Sequence, residues 1–94
     1  MAVGVVLEFD GGTLDQYDQV IGMMGLERGK PLPDGGVFHW VTATDSGLRV
    51  TDVWDSREQF ERFAQEQIGP YSQQVGLPEP KITFHEVHNY LYKV

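Results

Sequence analysis

The run Val37-Phe38-His39-Trp40-Val41-Thr42-Ala43-Thr44-Asp45-Ser46-Gly47-Leu48-Arg49-Val50-Thr51-Asp52-Val53-Trp54 reads as two strands joined by a tight turn. Its register decides which side chains share a face of the sheet, because a slip of one residue turns every side chain over. Thr44-Asp45-Ser46-Gly47 predicts a type I turn closed by Gly47 as a left-handed bulge, since glycine suits the third loop position of such a turn. Thr42 then faces Val50, Trp40 faces Asp52 and Phe38 faces Trp54 on one side, while His39, Val41, Arg49, Thr51 and Val53 share the other. A two-residue turn would instead set His39 against Asp52. The bulge is the expected form.

Upstream of this hairpin, Val3, Val5, Leu7 and Phe9 fall on one face of an extended segment and Val6 on the other, as a central strand requires. Asp10-Gly11-Gly12 breaks the strand, and Thr13-Leu14-Asp15-Gln16 has the capping-box pattern that starts a helix. Leu14, Tyr17, Val20, Ile21 and Met24 make its apolar stripe, and Gly25 ends it. Residues 26–36 follow neither period and form a long Pro/Gly loop, either a flap over a pocket or a plain connector.

Downstream, Ser56 and Gln59 mark a second helix start. Phe60, Phe63, Ala64, Gln67, Ile68, Tyr71 and Val75 share one face of this helix, with a bend expected near Gly69-Pro70 and an end at Gly76. Lys81 to Leu91 alternates as a final strand. Strand, helix, strand, strand, helix, strand is the order of an α+β, ferredoxin-like βαββαβ domain spanning residues 1–94, with an antiparallel sheet whose first and third strands are central.

Composition bounds what such a domain does. Ninety-four residues support one core, and a chain this small buries only about 60–65% of its unfolded surface, so pairing with a second copy is a natural remedy. No cysteine is present, which removes thiol nucleophiles, disulfides and Cys-ligated metals. Seven Lys+Arg against 14 Asp+Glu give a net charge of −7, which opposes nucleic acid and anionic membranes as partners. The apolar N-terminus lacks a basic flank and soon meets Glu8 and Asp10, so a cytoplasmic location is expected.

The segment Val53-Trp54-Asp55-Ser56-Arg57-Glu58-Gln59-Phe60-Glu61-Arg62-Phe63, a strand ending in Trp and followed at once by a Ser-capped acidic helix, resembles the corresponding part of the dimeric α/β-barrel superfamily, notably its antibiotic-biosynthesis monooxygenase-like group. The resemblance implies a homodimer in which two sheets pack face to face, with a small-molecule pocket in each subunit between sheet and helices. It also implies several activities, among them cofactor-free oxygenation of aromatic polyketides, haem degradation, and isomerisation or cyclisation. The first strand contains no Asn, and Phe63 stands where many members carry His; only Trp54 is matched, which argues against haem.

Candidate chemistry is sparse enough to weigh residue by residue. An Asp among aromatic residues on a central strand is a candidate general acid or base, since desolvation there disfavours charge unless a donor reaches it; the plainer alternative caps a helix with Asp52 or pairs it with Arg49 or Arg57. His85 is the second candidate, as a lone proton shuttle. His85 and His88 point to opposite faces of a strand and cannot chelate together, so no metal site and no cofactor are expected. Phe38, Trp40, Trp54, Tyr17, Phe63 and Tyr71 are the expected substrate contacts, with core packing the plainer reading of the tryptophans and tyrosines. Ser46 lies in a turn, Ser56 caps a helix and Ser72 has no supporting context, so no catalytic triad is expected. The expected function is small-molecule binding in a dimeric barrel, with cofactor-independent oxygenation, isomerisation or cyclisation of an aromatic or polyketide-like substrate. A non-catalytic dimeric ligand-binding or structural module is the alternative.

Overall fold

A computed structural model describes residues 1–93. In chain order the elements are β1 (Val3–Asp10), α1 (Leu14–Met24), β2 (Gly36–Ala43), β3 (Gly47–Trp54), α2 (Arg57–Phe63), a π-helical turn (Ala64–Ile68), α3 (Gly69–Val75) and β4 (Lys81–Glu86). The four strands form one antiparallel sheet in the order β2-β3-β1-β4, with the helices on one face: the ferredoxin-like βαββαβ arrangement.

Local chemistry starts and stops the helices. Thr13 accepts from the Gln16 backbone N–H at 3.1 Å while the Gln16 side chain accepts from the Thr13 N–H at 3.0 Å, closing the capping box. Ser56 caps α2 in the same way, accepting from the Gln59 N–H at 3.2 Å. Gly25 and Gly76 end α1 and α3 in the left-handed conformation. Gln16 also donates to the Val75 and Gly76 carbonyls, tying the start of α1 to the end of α3.

The inner sheet face supplies the core. Val5, Leu7, Phe9, Leu48, Val50 and Trp54 are buried against Val20, Phe60 and Leu77. Each such side chain stabilises the fold by about 1.5–3 kcal/mol through burial alone. Leu14, expected on the buried stripe of α1, is 43% exposed because it occupies the first helical turn, beyond the sheet-facing residues.

The hairpin register differs from the expected one. Thr44 and Gly47 exchange both backbone hydrogen bonds, at 2.9 and 3.3 Å, so the loop is the two residues Asp45 and Ser46. Gly47 is not left-handed. A Cβ there would lie 2.0 Å from the Phe9 carbonyl oxygen, and the Gly11 N–H donates to the Ser46 carbonyl at 2.7 Å. Gly47 therefore serves the close approach of β1 rather than a bulge. The extra residue sits instead at the other end of β2, where the register skips between Gly36 and Phe38. His39 consequently faces Asp52, and Val41 faces Val50, on the inner face. Phe38 and Trp40 are turned to the outer face, and do not share the Asp52–Trp54 side as the bulged register predicted.

Two other expectations are corrected. The helix after Ser56 does not break at Gly69; it passes through the π turn, in which the Gly69 N–H bonds to the Ala64 carbonyl. Wider winding accommodates Pro70, which has no N–H and would crowd the preceding turn of a regular helix. The last strand stops at Glu86 rather than Leu91, since its pairing with β1 ends at Val3↔Glu86 and the Val87 N–H then bonds to the Ala2 carbonyl. No helix among the described residues is long and apolar enough to cross a membrane.

Candidate functional site

Beside the apolar core, the inner face of β2 and β3 and the tyrosine of α1 build a polar chain. Asp52 on β3 accepts from His39 Nδ1 at 2.6 Å through one carboxylate oxygen and from the Trp54 indole N–H at 3.0 Å through the other. His39 Nε2 in turn meets the Tyr17 hydroxyl. The Tyr17 and His39 rings are nearly parallel, 8° apart with centroids at 5.9 Å. The Asp52 side chain is 7% exposed and the His39 side chain 27% exposed, so the histidine is the member of the pair that meets the cavity and solvent.

Hydrogen-bond logic fixes the roles along this chain. A carboxylate accepts only, which places the histidine proton on Nδ1 and leaves Nε2 as an acceptor for the Tyr17 O–H. The two donors at Asp52 compensate the burial of its charge. Arg49 and Arg57 play no part here: Arg49 pairs with Glu8 at 2.5 Å, while Arg57 pairs with Glu61 at 3.5 Å and lies over the Phe84 ring at 3.9 Å. Burial, reinforced by the carboxylates of Asp52 and Asp18, pushes the Tyr17 phenol up to about 12. Tyr17 is thus a neutral donor at ordinary pH.

A cavity of about 960 Å³ opens beside this chain. That volume suits a drug-sized molecule. Tyr17, His39, Asp52, Trp54 and Phe63 line it, and the loop carrying Leu26, Arg28, Leu32 and Pro33 forms one side. The loop is tied down where the Asp55 N–H bonds to the Gly35 carbonyl at 2.7 Å. Trp54 is held by an edge-on contact with Phe60 and a tilted one with Phe63, at centroid distances of 5.6 and 5.2 Å.

The residues singled out in the sequence are thereby divided. Asp52, Trp54, Tyr17 and Phe63 come together at the cavity. Phe38 and Trp40 border it from the edge strand but present their side chains, about half exposed, to the outer face. His85, paired with Gly4, also belongs to the outer face and lies away from Asp52. Tyr71 packs against the core without lining the cavity; Ser72, next to it, lines the cavity instead. His39 entered the sequence reading as a partner of Asp52 only through the two-residue turn. Nothing in the sequence marked Ser72.

Sheet order and helix placement are those of the ferredoxin-like βαββαβ fold, which several solved structures share. Among solved structures, Rv0793 from Mycobacterium tuberculosis is similar with a TM-score of 0.65 and 18% identity, over 98% of this chain and 100% of that one. SnoaB, a cofactor-independent oxygenase from Streptomyces nogalater, is similar with a TM-score of 0.59 and 16% identity, over 98% and 97% of the two chains. A monooxygenase from the ActVA-Orf6 gene of Streptomyces coelicolor, solved with nanaomycin D, gives 0.58 and 19% over 99% and 92%. No family model and no curated protein matches the sequence.

Proposed function

We propose that the protein binds a flat, electron-rich aromatic or polyketide-like molecule and oxygenates it without a cofactor. The observation that carries this is the Tyr17–His39–Asp52 chain bordering an aromatic-lined cavity. The cofactor-independent oxygenase and the monooxygenase that share the fold support it.

The chemistry needs one proton removed. A phenol or ring CH₂ that loses a proton becomes an anion rich enough in electrons to reduce dioxygen directly. Overall a ring CH₂ and O₂ become a ring C=O and H₂O, and the substrate supplies every electron. Because its phenol stays protonated to high pH, Tyr17 takes the substrate proton only as it passes its own to His39 Nε2. Asp52 holds the imidazole in place and stabilises the imidazolium that forms.

Homodimerisation is part of the same proposal. Phe38 and Trp40 stand 48% and 47% exposed on the outer sheet face, apolar area that a second sheet would cover.

The test uses chelator-treated protein with 1,8-dihydroxyanthrone, following oxygen uptake and quinone absorbance together. One O₂ per quinone is expected, with turnover of His39→Ala reduced roughly 10²–10⁴-fold, the usual worth of a positioned acid–base group. Tight binding with oxidation no faster than the spontaneous rate would leave a non-catalytic ligand-binding module.

A further inference from the structure

The helix bordering the cavity carries a buried group that the proton chain does not use. Ser72 on α3 is 5% exposed, and its hydroxyl has no hydrogen-bond partner. It is the buried side-chain polar atom without a partner among the described residues. An unpaired buried hydroxyl costs on the order of 1–3 kcal/mol, so a fold keeps one where something else completes it. Ile68 and Ser72 line the cavity with Phe63, spaced five and then four residues apart. The five-residue step is the π turn Ala64–Ile68. Without that turn, the downstream helix would be rotated by about 100°, the angle of one residue, and a different residue would occupy the place of Ser72. Pi turns recur at functional sites.

We propose that Ser72 is a specificity-determining residue whose hydroxyl bonds an oxygen substituent of the ligand, separate from the group handled by Tyr17 and His39. The ligand class is thereby narrowed to flat aromatics bearing oxygen at two positions. This rests on the cavity being the ligand site, as proposed above. Leu7, Phe9, Val20, Ile68 and Leu77, which line the same cavity, carry no hydrogen-bonding side chain that would compete for such a contact.

The experiment compares 1,5-dihydroxynaphthalene with 1-naphthol, which lacks the second oxygen, by titration calorimetry on wild type and Ser72→Ala, alongside the melting temperature of each free protein. Wild type is expected to prefer the diol roughly five- to tenfold, the worth of one neutral hydrogen bond. Ser72→Ala should erase that preference while keeping its affinity for 1-naphthol. It should also melt at the same or a higher temperature, because an orphan has been removed. A preference retained in the variant, affinity lost equally for both naphthols, or a lower melting temperature would each overturn the assignment. If neither naphthol binds wild type at millimolar concentration, the cavity reading fails and this inference with it, an outcome distinct from the other three.

Discussion

The two faces of the sheet carry similar residue types and opposite burdens. On the inner face an Asp, a His and a Trp are locked into one hydrogen-bonded chain beneath the helices, with Asp52 and Trp54 only 6% and 3% exposed. On the outer face Phe38, Trp40 and His85 stand exposed, and Glu8 pairs with Arg49 across strands. Residue type alone does not distinguish chemistry from surface here. What distinguishes them is whether each polar atom has a fixed partner: a carboxylate with two aimed donors can hold a neighbouring imidazole ready, whereas a lone exposed histidine has nothing to orient it.

The contrast is most sharply tested by truncation. Phe60→Ala removes a fully buried ring wedged between Trp54 and Phe84, and should cost about 3–5 kcal/mol in urea unfolding. An equal loss from Trp40→Ala would break the distinction between faces. Next in size, Asp52→Ala strips the acceptor from the buried Trp54 indole N–H and the part-buried His39 N–H, and a loss of roughly 2–3 kcal/mol is expected in the same assay. Trp40→Asp should leave the circular dichroism spectrum unchanged yet shift micromolar protein from dimer to monomer in light scattering, if the outer face meets a second copy. Wild type that is already monomeric would remove that role from the outer face.

The smallest expected effect is a pH dependence. Tyr17 holds its proton to about pH 12 in the folded protein, while an unfolded tyrosine loses it near 10. The folded state then binds the extra proton between these values, so the contribution is complete below pH 10 and fades as pH rises toward 12. Melting curves of wild type and Tyr17→Phe should converge across that window; parallel curves would show that the phenol is not held by the inner face.

Most of the fold was legible because its signals are local. Thr13 with Gln16 and Ser56 with Gln59 announce helix starts within four residues, apolar residues on both faces of β1 mark it as a central strand, and the element order places β3 beside it. Asp52, Trp54 and Tyr17 could be singled out as unusual on apolar faces. The pairing that joins them could not, because it depends on Gly47, and the reason for that glycine lies in the Phe9 carbonyl, 38 positions earlier in the chain. Tyr71 and Ser72 exchanged places for a similar cause: a helical wheel assumes 3.6 residues per turn, and the π turn before Gly69 departs from it.

The hairpin tip gives the chemistry something like a reading frame. Gly47 lies five residues from Asp52, about 17 Å along an extended strand, and touches nothing in the site. Yet the two-residue loop beside it dictates whether a histidine or a tryptophan is delivered to the carboxylate. One residue inserted between Thr44 and Gly47 would act on β2 as a frameshift acts on a message, leaving the letters intact while placing Trp40 where His39 now stands. The identity of the site is therefore stored partly in the length of a surface loop, where nothing about proton transfer is written.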